Sequence, residues 1–218
     1  MRDLFGQIRL IESDCIDSAA PNQFGNPVEP ATGAKREVEI DFALQGEMAL
    51  YVKRTYASFG QMGTMLGGRW RTNFEMSLLV GTGTITAYRN DGSRIDFTHQ
   101  TATNDWRDKN GGVARIVASG SGYTLYAPDN LVETYDTTGR VLTQKNRRGV
   151  GLTFHYAQLA HLAPSTKPML DRVVHTSGRS VQFQWAKFGS EARVVQVTDP
   201  VGSAYKYGYD SQGRLAST

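Results

Sequence analysis

The stretch Tyr135-Asp136-Thr137-Thr138-Gly139-Arg140-Val141 returns near the end of the chain as Tyr209-Asp210-Ser211-Gln212-Gly213-Arg214-Leu215. The shared pattern is Tyr-Asp-x-x-Gly-Arg-aliphatic. A weaker copy, Val174-His175-Thr176-Ser177-Gly178-Arg179-Ser180, lies between them, and Thr198-Asp199-Pro200-Val201-Gly202 is a related turn. The pattern reads as a hairpin. Asp accepts a hydrogen bond from its own backbone two residues on and so opens a turn, and Gly supplies the positive-φ position. The flanking Tyr and Val or Leu then fall in the two strands, where they pack across the pair. One hairpin is marginal alone. Stacked copies bury a continuous face, so the repeat predicts an extended sheet.

Working outward, period-2 alternation governs the chain from Arg36 onward. Val38, Ile40, Phe42 and Leu44 share one face of a predicted half-buried strand, with Glu37, Glu39 and Asp41 on the wet face. Gln45-Gly46-Glu47 turns the chain into Met48, Leu50 and Val52, giving an antiparallel hairpin. Ser58 to Gly68 reads as a loop, and Trp70, Thr72, Phe74, Met76 and Leu78 as the next strand face. Asn90-Asp91-Gly92-Ser93 is a tight hairpin turn with Asp-Gly at its centre. Asn104 to Gly112 is polar and loop-like. Short strands follow at Val113–Val117, Tyr123–Tyr126, Leu131–Tyr135, Val141–Gln144 and Leu152–Tyr156, and a surface loop at Ala157–Pro168. The fold class is therefore all-β, a twisted and curling sheet of successive antiparallel hairpins. Residues 1–24 form a lead-in with one short helix around Leu4–Ile11. Residues 25–112 form an N-terminal β domain, and residues 113–218 an incomplete array of repeat hairpins.

Composition narrows the function. The 218 residues are 39% hydrophobic and 21% charged, which suits a folded chain. The net charge of +3 is mild, and no Lys/Arg run exceeds Arg147-Arg148, so no nucleic-acid surface is expected. The sequence holds no apolar run long enough to span a bilayer and no Sec-type signal peptide. The single cysteine, Cys15, lies between Asp14 and Asp17, whose charge disfavours a thiolate, and it is read as inert.

No constellation points to catalysis, a cofactor or a metal. His99, His155, His161 and His175 lack convergent partners, and no H-E-x-x-H or C-x-x-C accompanies them. Gly81-Thr82-Gly83-Thr84 lacks the lysine and the helix of a phosphate loop. Ser119-Gly120-Ser121-Gly122 is a turn and not a nucleophile elbow. Glu37, Glu39 and Asp41 are read as a solvated sheet face. Tyr51, Tyr126, Tyr207 and Trp185 suit either a stacking platform for a sugar or peptide or, preferably, cross-strand ladders. Gly33, Trp70, Gly92, Tyr135, Gly139, Tyr209 and Gly213 are expected to carry structure.

The repeated Tyr-Asp-x-x-Gly-Arg unit resembles the signature of Rhs/YD-repeat proteins. Upstream, Gly25-Asn26-Pro27-Val28-Glu29-Pro30-Ala31-Thr32-Gly33 resembles the opening of the family's N-terminal domain. The hairpin from Ile40-Asp41-Phe42 to Arg54-Thr55-Tyr56-Ala57-Ser58, the Gly68-Arg69-Trp70-Arg71 element and the Asp91-Gly92-Ser93 to Phe97 hairpin resemble its successive elements. The resemblance covers roughly residues 25–218. It implies part of a hollow β-cocoon shell of a polymorphic toxin of the type VI effector kind, used in bacterial competition. The shell would enclose and help deliver a C-terminal toxin domain outside this chain. The implied partners are the remainder of the shell, the toxin cargo and secretion spike or adaptor proteins. Synthesis would be cytoplasmic, with contact-dependent, non-Sec export. Asp199-Pro200-Val201-Gly202 resembles part of the family's cleavage sequence, but it sits inside a repeat and is read as a turn. The alternative is a stand-alone carbohydrate- or protein-binding β module with an unpaired edge strand open to self-association. A third reading, an enzyme, has no residues to support it.

Overall fold

The computed structural model describes residues 28–29, 33–59, 63–162 and 167–218. The expected lead-in helix around Leu4–Ile11 and Cys15 lie outside the described residues. A four-stranded sheet opens the fold: β1 (Val28–Glu29), β2 (Ala34–Ala43), β3 (Tyr51–Ala57) and β4 (Trp70–Thr72), in that order. A thirteen-stranded sheet follows: β5 (Ser77–Val80), β6 (Thr84–Tyr88), β7 (Arg94–Gln100), β8 (Asp105–Asp108), β9 (Arg115–Ser119), β10 (Gly122–Tyr126), β11 (Val132–Tyr135), β12 (Val141–Lys145), β13 (Gly151–Ala157), β14 (Met169–His175), β15 (Ser180–Phe188), β16 (Glu191–Thr198) and β17 (Ala204–Lys206). A last hairpin joins β18 (Gly208–Tyr209) to β19 (Leu215–Ser217). Every strand of the large sheet pairs antiparallel with its neighbours in sequence, without a crossover.

The large sheet is open yet curled. Its first strand, β5, meets the turn between β11 and β12: the Leu78 amide donates to the Gly139 carbonyl at 2.8 Å, and Ser77 bridges Arg140. One face of the curl is the core. Register places Ile85 opposite Phe97, Ile116 opposite Leu125, and Phe154 opposite Val173, which in turn faces Val181, and all seven are buried. Burial of each such side chain contributes roughly 1.5–3 kcal/mol. The small sheet and the segment after it close over this face. Phe42 stacks on Tyr205 at 5.4 Å, and Phe74 lies edge-on to Phe183 at 5.4 Å and to Phe154 at 6.3 Å.

Two expected elements differ. The alternation from Trp70 to Leu78 does not make one strand. Asn73 locks onto β3, accepting from the Lys53 amide at 2.9 Å and donating to the Tyr51 carbonyl at 3.1 Å. The Glu75 carboxylate takes the amides of Thr72 (2.6 Å), Met65 (3.0 Å) and Thr64. These side chains satisfy backbone that a strand would have paired, so the chain leaves one sheet at Thr72 and enters the other at Ser77. The second difference is β8, which forms inside the expected loop Asn104–Gly112. Its residues pair with β7, His99 opposite Trp106, and the two rings lie 4.7 Å apart. Cross-strand stacking outweighs the polar composition there.

Candidate functional site

Among the described residues the repeat is a single turn built seven times. In each copy the first residue's amide donates to the fifth residue's carbonyl, and the fourth residue's amide donates back to the first carbonyl. The copies run over Arg89–Ser93, Ala127–Leu131, Asp136–Arg140, Asn146–Val150, His175–Arg179, Asp199–Ser203 and Asp210–Arg214. The fourth residue has a positive φ every time, from 64° at Asn130 to 95° at Gly202. This is the three-residue hairpin loop in which a type I turn is followed by a left-handed residue.

The first side chain explains the Asp of the motif. Asp136 Oδ1 accepts the amides of Thr138 (2.9 Å) and Arg140 (3.0 Å), and Asp210 Oδ1 those of Gln212 and Arg214, both at 2.9 Å. The four-residue spacing of Asp and Arg follows: Arg140 Nε and Arg214 Nε each donate to the other carboxylate oxygen at 2.7 Å. Burial pushes the Asp136 carboxyl up, but the bonds from Thr138 and Arg140 prevail and hold it below its usual range. For Asp210 the Arg214 amide and guanidinium lower it directly.

Three copies escaped the sequence reading as repeats: those starting at Arg89, Ala127 and Asn146. Asn146 Oδ1 replaces the carboxylate, accepting from Arg148 (2.9 Å) and Val150 (3.1 Å). At the other two the acid has moved to the third position, where Asp91 and Asp129 each accept the fifth residue's amide. A search for Asp or Asn at position one or three, with Gly or Asn at position four, would find them. Asp199, buried, accepts from Val201 (2.9 Å) and Ser203 (2.8 Å). Asp199→Ala is expected to cost about 1–2 kcal/mol in urea unfolding, and Asp199→Asn under half of that, since Asn146 does the same work natively.

Moving the acid frees the first position at Arg89. Its guanidinium enters the core and grips the fully buried Glu133 through two bonds of 2.5 and 2.7 Å. Tyr135 Oη donates to Glu133 at 2.6 Å and Gln144 Nε2 at 2.8 Å, so the carboxylate is saturated. The Tyr of the other full copy acts differently: Tyr209 Oη donates to the Val194 carbonyl at 2.5 Å.

Among the described residues the remaining candidates take up structural contacts. Asp41, expected on a wet face, is buried where β2 bulges between Ile40 and Phe42. It pairs with Arg54 at 2.9 Å and accepts from Tyr207 Oη at 2.6 Å. The bulge takes Phe42 off the face it would share with Val38 and Ile40: Phe42 is buried, Val38 and Ile40 are exposed, and Glu39 stays exposed as expected. The platform tyrosines part company too. Trp185 and Tyr207 are core residues, while Tyr126 is exposed beneath Arg115, at 4.3 Å. His99 sits by Asn104, His161 Nε2 meets the Trp185 carbonyl, and His175 occupies a repeat turn. Among the described residues no group of three or more His, Cys, Asp or Glu is placed to hold a metal. A cavity of about 200 Å³ is lined by Met65, Phe74, Glu75, Met76, Met169 and Trp185, among others. Its carboxylate, Glu75, is occupied by backbone amides. Among the described residues no helix is long and apolar enough to cross a membrane.

Residues 25–97 match a family described as "Domain of unknown function (DUF6531)", and residues 193–218 match "RHS Repeat". The chain is also 22% identical to "Double-stranded DNA deaminase toxin A" of Burkholderia cenocepacia (strain H111), over 94% of its own length. It spans only 19% of that relative. The repeat turns, the curled antiparallel sheet and both family matches agree in making the chain similar to Rhs/YD-repeat proteins.

Proposed function

We propose that this chain is a non-catalytic, shell-building segment of an Rhs polymorphic toxin, which encloses and helps deliver a C-terminal toxin domain outside these residues. The observation that carries the reading is the large sheet. Thirteen strands follow one another without a crossover, and the sheet curls until β5 meets the turn at Gly139. Such an architecture grows by adding hairpins. The relative's name, a DNA deaminase toxin, supports a toxin context; the deaminase activity is not assigned to this chain. In this reading the partners are the rest of the shell, the toxin and the spike or adaptor proteins of a type VI secretion system. The product leaves the cytoplasm by that contact-dependent route and serves bacterial competition.

The domain division at residue 112 belongs to the same proposal, with residues 25–112 starting the shell and the repeat hairpins extending it. The test is the reading frame beyond Thr218 in the source genome, followed by limited proteolysis of the encoded protein. Further Tyr-Asp-x-x-Gly-Arg copies, a variable C-terminal domain and protection of that domain while the repeats are intact are expected. A stop codon directly after Thr218 in an expressed gene would overturn the shell reading in favour of a stand-alone binding module.

A further inference from the structure

The cavity of about 200 Å³, lined in part by the passage between the two sheets, has walls of two kinds. One wall is apolar and carries three methionines, Met65, Met76 and Met169, with the rings of Phe74 and Trp185. The Met65 sulfur accepts from Thr72 Oγ1 at 3.1 Å and the Met76 sulfur from Gln144 Nε2 at 3.5 Å, so both side chains are held. Trp185 spends its Nε1 on the Leu170 carbonyl at 2.8 Å, which leaves only its apolar surface to the cavity. Thioethers are polarizable and make favourable contacts with aromatic rings. A dry cavity of about 150 Å³ takes up benzene, so this one accommodates a single ring and little more.

The other wall is cationic. Two guanidinium groups, Arg71 and Arg140, line the cavity against one carboxylate, Glu75. That carboxylate is already taken: Oε1 accepts the amides of Thr64 and Met65 and the Thr64 hydroxyl, and Oε2 the Thr72 amide. Arg140 lies with its guanidinium carbon 5.2 Å from the centre of the Tyr156 ring. A guanidinium has five N–H donors. Asp136 engages those of Nε and Nη2, both at 2.7 Å, and leaves Nη1. The Tyr156 hydroxyl makes no hydrogen bond among the described residues, and burial pushes its pKa up, so it keeps its proton and stays a donor. A hydroxyl and a guanidinium edge thus line one side of an apolar space, with no protein acceptor left to answer them.

We propose that this cavity is a binding site for a small aromatic carboxylate. The ring lies among the methionines, Phe74 and Trp185, and the carboxylate accepts from Tyr156 Oη and Arg140 Nη1, bonds strengthened by its charge. Charge selects the anion, since a cationic ligand would face Arg140 and find the Glu75 lone pairs occupied. Size selects a free acid over a chain terminus, since one ring fills the space and leaves no room for the backbone a polypeptide brings with it.

The test is titration of the whole 218-residue chain with phenylacetate, followed through ¹³C-methyl methionine resonances. Ring-current shifts are expected at Met65, Met76 and Met169 and not at Met48, which lies outside the cavity lining, with saturation by about 10 mM. Phenylacetamide keeps the ring but not the charge, and is expected to bind at least about tenfold more weakly. Tyr156→Phe should keep the wild-type urea midpoint, because its hydroxyl has no partner in the protein, yet bind phenylacetate about tenfold more weakly. Absence of shifts at the three methyls overturns the site. Equal affinity for phenylacetamide overturns the choice of an anion, and unchanged affinity in Tyr156→Phe overturns the placement of its carboxylate. Shifts produced by a peptide ending in Phe, but not by phenylacetate, would assign the cavity to a chain terminus and overturn the proposal as well.

Discussion

Glu133→Gln is expected to destabilise the chain by about 3–5 kcal/mol, because it leaves the Arg89 guanidinium buried without its counter-charge. Glu133 is wholly inaccessible and takes bonds from Arg89, Tyr135 and Gln144. The pair also ties the turn after β6 to β11, so its loss opens the curl and not only a local contact. The check is the urea midpoint, read together with the double variant Glu133→Leu/Arg89→Met. Well-packed apolar replacements of a buried pair commonly recover the loss. If the double variant is as unstable as the single one, the charge pairing is not what the site supplies.

The same carboxylate sets an acid limit. Burial pushes the Glu133 carboxyl up, but the Arg89 bonds and charge, with Tyr135 and Gln144, outweigh it, and it lies below its usual range. A carboxyl depressed in the folded state stabilises above its unfolded pKa, about 4.3 for Glu. That stabilisation is lost as pH falls through the folded value. Unfolding is therefore expected to steepen below about pH 4, and Glu133→Gln should flatten that part of the stability curve. A profile identical in the two proteins would place the acid sensitivity elsewhere.

Gly139→Ala is expected to be the most damaging glycine substitution among the repeat turns, costing about 3 kcal/mol or more. Two effects add. The residue has φ of +83°, which L side chains adopt at a cost, and an added Cβ would lie 2.0 Å from the Leu78 carbonyl oxygen. Gly213 occupies the same place in the other full copy, at φ +70°, with only Phe188 Cβ near, at 3.9 Å. Its replacement by Ala should cost about 1 kcal/mol, the backbone effect alone. Thermal or urea unfolding of the two variants side by side decides this. Equal losses would mean that β5 does not close on the Gly139 turn in solution.

That contrast separates what the chain states locally from what the fold adds. The Tyr-Asp-x-x-Gly-Arg spacing, read alone, was sufficient for the hairpin, for the Asp that closes its turn and for the all-β class, because each is settled within a few residues by backbone hydrogen bonding and positive φ. Period-2 alternation was sufficient for most strands for the same reason. It failed between Trp70 and Leu78, where the Asn73 and Glu75 side chains take over backbone bonding, and at Asp41, where a bulge turns that side chain inward onto Arg54. Both are competitions with residues distant in sequence, and no local period records them.

The sequence by itself thus determined the unit and its repetition. Only the tertiary structure decided what each copy is for. Gly139 and Gly213 stand in the same motif, yet the curl brings a carbonyl against one and leaves the other open. Tyr135 holds a buried carboxylate, while Tyr209 holds a backbone carbonyl. His175 looks like a decayed copy until Glu47, far away in the chain, is seen against its other nitrogen. The physical reason is range. A turn is fixed by the few residues that form it, whereas the partner across a curled sheet is set by how the strands between them bend.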